Sequence, residues 1–183
     1  MKTKKVKIPT RLSEMTLAQF AKLQEISQSK SKRKHEEMCS VFVGDVRNLS
    51  AAQIVDISSS LIGCMQEQPI FKPMFRIGLQ WYAMDTDLKN MPYGAYLDIK
   101  NFEEQGMYQN LHEILAILVR PAKRFFNQIK VADYEGENKR GELFLNKMPA
   151  DVAAGYLFFF TILTTEYQLI SRASRLRQTT PTA

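Results

Sequence analysis

The chain has 183 residues, the length of one domain with at most a small appendage. Hydrophobic residues make up 45% of it and charged residues 24%, which is typical of globular proteins and excludes global disorder. The formal net charge is +6, and most of the excess lies near the termini and in one linker-like run. This placement favours charge that is simply solvated; the alternative is contact with nucleic acid or an acidic partner.

Two observations bear on where the protein works. Cys39 and Cys64 lie in apolar runs and are typical of reduced cysteines in a core. The basic start lacks the apolar region of a secretory signal, and the longest apolar stretch, Val152 to Leu163, is shorter than the roughly 20 residues that cross a membrane. We therefore expect a soluble protein of a reducing cytoplasm that makes no contact with membranes.

In chain order, the first part of the sequence predicts an extended arm followed by three helices. Residues 1–10 form the basic arm, in which Val6 to Pro9 is a short strand or an extended segment. Apolar residues at helical spacing, together with a capping box at Ser50 and Gln53, predict the helices. They run from Met15 to Ser27, from Lys34 to Val43 and from Ser50 to about Gln66. Gly44 ends the second helix.

The second part of the sequence mixes strands with helices. Alternating apolar residues predict one strand from Met74 to Met84. A helix follows Pro92, and a strongly apolar helix from Leu111 to Val119 ends before Pro121. A polar turn then joins two further predicted strands into a hairpin or an exposed loop, Phe125 to Tyr134 and Glu142 to Leu145.

The last predicted helix, Ala150 to about Arg175, is the longest, and its first half is apolar on nearly all sides. Together these elements predict a mainly α fold with a small β component (α+β). We expect a compact helical domain with one or two short antiparallel strand pairs and a long C-terminal helix. The predominance of helix also predicts an all-alpha classification. The domain is expected to span residues 11–177, between the arm and a frayed tail at residues 178–183.

A short pattern, Leu-x-x-Met-[Thr/Pro], occurs three times, at residues 12–16, 88–92 and 145–149. Each copy immediately precedes a predicted helix, which indicates a shared way of starting one: a hydroxyl cap or proline at the first turn and apolar residues packed beside it. Chance recurrence and duplication of a strand–turn–helix unit both stay open. The irregular spacing excludes a regular repeat array.

The sequence contains no motif of a known reaction type. No P-loop, dinucleotide-binding, zinc-peptidase or paired Cys-x-x-Cys motif occurs. His112 beside Glu113 is the best candidate for a general base, but no nucleophile accompanies it by motif. His35 and Cys39 share a helix face, without the second pair that a metal site needs. We therefore predict no catalytic residue, no cofactor, no metal and no enzymatic activity.

Two groups of residues are candidates for partner binding. The aromatic run in the last helix is too large for one small core, so it is either sandwiched between two layers or meets another chain: Tyr156, Phe158, Phe159 and Phe160. The basic linker run would contact an acidic partner or nucleic acid: Lys32, Arg33 and Lys34. No aromatic residue interrupts that run, so a stacking platform for single strands is not supported. The basic segment Arg120 to Arg124 favours a solvated helix end; the alternative is that it binds a phosphate or an acidic partner.

Four stretches of the chain resemble one known family: Leu12 to Phe20, Leu88 to Phe102, His112 to Pro121 and Met148 to Gly155. The family is that of small morphogenesis proteins of tailed bacteriophages, including crAss-like phages, which are described as tail-assembly-chaperone-like. The four stretches are spread along the chain from Leu12 to Gly155, and the resemblance brings no catalytic residue with it. It implies expression in the cytoplasm of an infected bacterium and a non-enzymatic role in virion assembly.

The function expected first is that of a tail assembly chaperone or adaptor, which binds phage structural proteins such as tape-measure, tail or connector proteins. The first alternative is a permanent virion component, for example a connector, hub or internal protein. The second alternative is a basic protein associated with nucleic acid, which is not favoured. Assembly into a homo-oligomer is left open.

Overall fold

The computed structural model describes residues 7–87, 90–126, 128–136, 140–162 and 165. Within these ranges the chain forms seven α-helices: α1 Leu17–Gln28, α2 Lys34–Val43, α3 Ala51–Met65, α4 Tyr93–Glu104, α5 Leu111–Leu118, α6 Gly141–Lys147, and α7 at residues 150–162. It also forms four strands: β1 Phe75–Ile77, β2 Gln80–Met84, β3 Val119–Phe125 and β4 Gln128–Val131. The fold is therefore α+β, as the sequence predicts, and the all-alpha classification is wrong.

Both ends of the chain extend beyond the described residues. Residues 7–9 belong to no helix or strand, so of the two predicted forms of Val6 to Pro9 the strand is not formed there. The predicted tail at residues 178–183 lies outside the described residues, and so does most of the second half of the predicted last helix. The part of that helix that the structure describes is its apolar first half.

Helices α1 and α3 begin with the same capping arrangement. Thr16 Oγ1 accepts a hydrogen bond from Gln19 N at 3.3 Å, and the Gln19 side chain accepts one from Thr16 N at 2.9 Å. Ser50 and Gln53 repeat the arrangement at 3.2 and 2.9 Å. Each box satisfies two amides that have no partner within the helix, and the predicted box at Ser50 is confirmed.

Two copies of the Leu-x-x-Met pattern contact each other in the fold. The first copy, before α1, runs antiparallel to the last copy, before α7: Leu17 N donates to Met148 O at 2.9 Å, and Ala150 N donates to Met15 O at 3.0 Å. Both methionines are buried at this junction. The two helix starts thus stabilise one another, although they are far apart in sequence. In the middle copy, residues 88–89 lie outside the described residues.

The strands form one antiparallel sheet in the order β1-β2-β3-β4. The single strand predicted from Met74 to Met84 is in fact a hairpin, because Gly78 has a φ of 59° and turns the chain together with Leu79. Ile77 pairs with Gln80 across this two-residue turn. Glycine adopts positive φ without steric penalty, while the alternation of side chains on either side of the turn looks like one continuous strand.

The second hairpin also differs from the predicted one. Strand β4 pairs with β3, while the predicted partner strand, Glu142 to Leu145, lies in helix α6. Gly141, Phe144 and Met148 are buried at helical spacing, and this burial favours the helix over an extended strand. Helix α5 ends before Pro121 as predicted, but the chain continues at once as strand β3.

The core lies between the sheet and the helices. Helix α5 packs against α1, α4 and α6 and buries six of its eight residues. From the sheet, Phe75 and Tyr82 place their rings 6.1 and 5.2 Å from the ring of Phe144 in α6. Tyr156 of α7 lies 5.7 Å from Phe75, between centroids. These aromatic contacts anchor the sheet to the helices and leave both hairpin turns at the surface.

Candidate protein-binding surface

The aromatic residues predicted to bind a partner are divided between core and surface. Tyr156 is 0% exposed, and its ring lies 5.4 Å from that of Phe71 in an edge-on contact. Phe159 stacks on the same Phe71 ring at 4.2 Å, and Phe160 is partly buried against the core. Phe158 is 55% exposed. Core packing therefore accounts for Tyr156 and in part for Phe159 and Phe160, whereas Phe158 is exposed, and partner binding by the run stays a prediction.

The predicted basic run lies at the surface between α1 and α2, and part of it has a local role. Arg33 forms an ion pair with Glu36, with Arg33 Nε 3.0 Å from the carboxylate. Lys34 Nζ donates a hydrogen bond to Ser27 O at 2.7 Å, which ties the start of α2 to the end of α1. Lys32 is exposed. Local structure thus explains two of the three charges, and their role in partner binding stays a prediction.

His35 and Cys39, which share a face of α2, form hydrogen bonds with different neighbours in α3. Burial raises the pKa of the Cys39 and Cys64 thiols, so neither ionises readily near neutral pH. His35, four residues before Cys39, places Nδ1 2.8 Å from Ser58 Oγ. Across the described ranges, no three histidine, cysteine or carboxylate side chains cluster as metal ligands would.

His112 and Glu113 line a polar cavity of about 470 Å³, together with Asp98 and Tyr134. His112 Nε2 lies 3.4 Å from Glu113 Oε1. Burial and the hydrogen bond to Asp98 raise the pKa of Tyr134 to about 12, so its phenol stays protonated at neutral pH. No serine, threonine or cysteine lines the cavity, so its described side chains offer carboxylates, an imidazole and a phenol but no aliphatic hydroxyl or thiol.

An exposed apolar surface that the sequence did not predict lies on the two hairpins. Leu79 is 92% exposed, Trp81 46% and Phe126 85%, although each side chain is large and apolar. We define the two-hairpin surface as the exposed apolar and basic residues of both hairpins: Leu79, Trp81, Phe125, Phe126, Ile129, Arg76, Lys123, Arg124 and Lys130. Contiguous exposed apolar patches are uncommon on monomeric proteins and typically mark interaction sites.

A groove of about 1010 Å³ opens on this surface. Its walls come from both hairpins and from the segment before β1: Pro73, Met74, Leu79, Gln80, Trp81, Ala122, Lys123, Arg124 and Ile129. Strand β3, which contributes Ala122, runs between the strands that carry Trp81 and Ile129. Because the alanine side chain is short, a gap forms between the two larger side chains, and apolar groups line most of it.

The tip of the β3–β4 hairpin carries two adjacent phenylalanines. The rings of Phe125 and Phe126 meet edge-on with centroids 4.8 Å apart, and both are exposed. Phe126 has a φ of 53°, a left-handed conformation that costs a non-glycine residue roughly 1 kcal/mol. An exposed aromatic residue held in an unfavourable backbone conformation indicates a role other than stability.

The basic segment Arg120 to Arg124, which the sequence predicts to be a helix end, lies in strand β3, and its cations differ in burial. Arg120 is buried beside Met91 and Ala95 and forms an ion pair with Asp85 at 2.6 Å. Lys123 and Arg124 lie farther along β3, where the hairpin leaves the core, and are exposed. Arg120 is therefore structural, and the last two cations belong to the two-hairpin surface.

The cations of the two-hairpin surface are not neutralised by the described part of the protein. Arg76, Lys123, Arg124 and Lys130 form no ion pair with a carboxylate among the described residues. Arg76 Nε donates to the backbone carbonyl of Gly78 at 2.7 Å. The surface thus combines apolar side chains with positive charge that is available to a ligand.

The sequence does contain signals for this surface. Gly78 stands inside the alternating pattern, and a glycine within a strand pattern is a signal for a turn or bulge. Phe125 and Phe126 follow a basic strand and precede Asn127, a residue that favours turns. These signals indicate one shared surface only once the pairing of β2 with β3 is known, because that pairing brings the two hairpins side by side. No local sequence pattern encodes it.

Within the described part of the chain, no helix combines the length and apolarity needed to cross a membrane. Comparison with models of protein families, with curated proteins and with solved structures gives no match for this chain.

Proposed function

We propose that this protein is a non-enzymatic bacteriophage morphogenesis protein that works through protein–protein contacts, as a tail assembly chaperone or adaptor. The observation that supports the binding role is the two-hairpin surface, with its exposed apolar groups and adjacent cations. The assembly role is supported by the four stretches that resemble phage morphogenesis proteins. The proposed partners are tape-measure, tail or connector proteins in the cytoplasm of the infected bacterium.

A surface of this kind suits a protein that binds and later releases its partner. Covering the exposed side chains of Trp81 and Phe126 would contribute about 25 cal/mol per Å² of apolar area removed from water. The paired strands hold these side chains in place before binding, which lowers the entropic cost of association. The cations beside them would speed encounter with an acidic partner and make the complex sensitive to salt.

The alternative of a permanent virion component differs in one measurable respect. A chaperone leaves before the particle is complete, whereas a connector, hub or internal protein stays in it. Mass spectrometry of purified virions distinguishes the two: we expect the protein to be absent, and its presence in a stoichiometric amount would favour the structural role.

The alternative of a nucleic-acid-associated protein is supported by one observation. Trp81 and Phe126 belong to the same two hairpins as four exposed cations, and single-stranded nucleic acid is bound by aromatic stacking beside positive charge. This role predicts affinity for an oligonucleotide that falls steeply as salt is raised. It also predicts a similar loss of affinity for the oligonucleotide when Lys123 and Arg124 are neutralised.

The test of the proposed function is recovery of partners from infected cells through the tagged full-length chain. We expect the wild type to retain identified phage structural proteins and the double variant Trp81→Ala/Phe126→Gly to lose them. Tyr93→Ala is the matched control, because Tyr93 is an exposed aromatic residue on α4, outside the two-hairpin surface. Recovery of no phage protein by the wild type would contradict the proposal.

A further inference from the structure

We propose that the two-hairpin surface binds an acidic, amphipathic segment of another protein, with its apolar side chains in the groove and its carboxylates on the surrounding cations. This inference deepens the proposed function, on which it rests, because it states the chemistry of the partner. The groove, its lining and the charges around it support the assignment.

The size of the groove indicates a chain segment as its occupant. Pockets that enclose small molecules typically measure about 300–1,000 Å³ and bury most of their ligand. This groove, at about 1010 Å³, is open between Trp81 and Ile129 and extends onto both hairpins. It therefore suits several successive side chains of a polypeptide better than one enclosed small molecule.

The lining of the groove favours a protein over nucleic acid. Among the described residues that line it, Trp81 is the aromatic one, and the other apolar walls come from aliphatic residues and proline, including Met74, Leu79 and Ile129. Nucleic-acid bases are planar and bind by stacking on aromatic rings, so a mainly aliphatic groove offers few such contacts. Apolar side chains on one face of a peptide helix are accommodated by grooves of this kind.

The charges around the groove favour an acidic segment. Lys123 and Arg124 line the groove, and Lys123 lies directly opposite Lys130 in the register of β3 and β4. Like charges directly opposite one another destabilise a strand pair. Arg124 shares the sheet face of Trp81 and Ile129, so a carboxylate beside it in the groove would form an ion pair that the described part of the chain does not supply.

The same charges oppose a second copy of this chain as the occupant. The chain carries a formal net charge of +6, so two copies that met through their basic surfaces would repel one another. An acidic partner instead gains from the long-range attraction between opposite charges. The occupant is therefore a segment of a different, acidic protein.

The experiment uses four labelled probes and the full-length chain, with binding measured by fluorescence anisotropy. The first probe is a peptide of about 18 residues in which Leu and Glu form one apolar and one acidic helix face. The second has the same composition in scrambled order. The third replaces Glu by Lys, and the fourth is an oligothymidylate. We expect the first to bind, and the other three to bind at least roughly tenfold more weakly.

Matched variants locate the binding. The charge reversal Lys123→Glu/Arg124→Glu and the single change Trp81→Ala are each expected to weaken binding of the first peptide by roughly tenfold or more. The control Arg11→Glu/Lys147→Glu makes the same change in net charge at two exposed residues outside both candidate surfaces and is expected to leave binding unchanged. Circular dichroism spectra and thermal melts of all variants confirm that they are folded.

Several outcomes overturn the inference. Equal binding of the scrambled peptide means that composition is recognised and an amphipathic arrangement is not, and tighter binding of the oligothymidylate assigns the surface to nucleic acid. Loss of affinity in the control variant places the site elsewhere. If no peptide binds while the chain still recovers phage proteins through Trp81 and Phe126, the inference fails and the proposed function stands. If the peptide binds but no phage protein is recovered, the proposed function fails, while the chemistry inferred for the ligand of this surface stands.

Discussion

At the scale of single residues, the ring of Tyr156 stabilises the fold by packing in the core, whereas its buried hydroxyl lowers stability. Its ring packs against Phe71 and Phe75 in the core. Its buried phenol oxygen has no hydrogen-bond partner among the described residues, and burial raises the pKa of this phenol. A buried hydroxyl without a partner loses its hydration and regains nothing.

We therefore expect Tyr156→Phe to stabilise the protein by about 1 kcal/mol, which corresponds to a rise in Tm of roughly 2–4 °C for a chain of this size. Thermal and urea unfolding measure the change. Tyr93→Phe is the control, because Tyr93 is exposed and its hydroxyl is hydrated in both states. A destabilised Tyr156→Phe protein would show that the hydroxyl forms a bond that favours folding.

Glu14 gives a prediction about acid stability. The hydrogen bond from Lys7, followed by that from the Thr10 amide, lowers the pKa of Glu14 to about 2 from an ordinary value of 4.5. A lowered pKa in the folded state contributes stability that is present above pH 4.5 and is lost as pH falls toward 2. We expect wild type to be more stable than Glu14→Gln at neutral pH, and this difference to vanish between those two values.

Urea unfolding of both proteins at a series of pH values measures this difference. Glu104→Gln serves as the reference, because Glu104 is exposed and forms no ion pair among the described residues. A difference between wild type and Glu14→Gln that persists unchanged at pH 2 would contradict the role of the Glu14 carboxylate.

At the scale of elements, the two paired helix starts connect the beginning of the domain to its end. Met15 and Met148 are buried beside the backbone hydrogen bonds that join the segments before α1 and α7. Truncation of a buried methionine typically costs about 2–5 kcal/mol, through lost burial and the cavity that is left. Both residues support one junction, so their effects should not be independent.

We expect Met15→Ala and Met148→Ala each to lower the free energy of unfolding by about 3 kcal/mol. The double variant should lose less than the sum of the two, by roughly 0.5 kcal/mol or more. Met107→Ala is the control on an exposed methionine and should change little. Strict additivity in chemical denaturation would mean that the segments before α1 and α7 do not stabilise each other.

The same elements show which local signals suffice. The Ser50–Gln53 box and Gly44 locate helix boundaries, because capping depends on residues within one turn of each other. The assignment of Glu142 to Leu145 as a strand fails because burial of Phe144 against Phe75 and Tyr82 decides the conformation. Such contacts are set by the fold and not by neighbouring residues.

At the scale of the whole molecule, the hairpins carry features that serve binding at the expense of stability. Phe126 is exposed in a left-handed conformation, and Lys123 opposes Lys130 across the β3–β4 pair. Each feature is unfavourable for the isolated protein. A binding partner would compensate the first of them, by covering the ring.

We therefore expect Phe126→Gly to raise the free energy of unfolding by about 1 kcal/mol, since glycine adopts the positive φ without strain. The same change should weaken partner binding, because the exposed ring is lost. Chemical denaturation measures the first effect, and recovery of partners from infected cells measures the second. A variant that gains stability and keeps its partners would remove Phe126 from the binding surface.

By itself, the sequence determined the α+β class, the start of α3 and the end of α2, because each depends on composition or on contacts within a few residues; the first helix, predicted from Met15, begins at Leu17. It also indicated that Tyr156 belongs to a crowded aromatic region. The tertiary structure alone decided that two distant helix starts join, that Arg120 is buried while Arg124 is exposed, and that two hairpins form one surface. Those features depend on strand pairing between residues far apart in the chain, which local patterns do not specify.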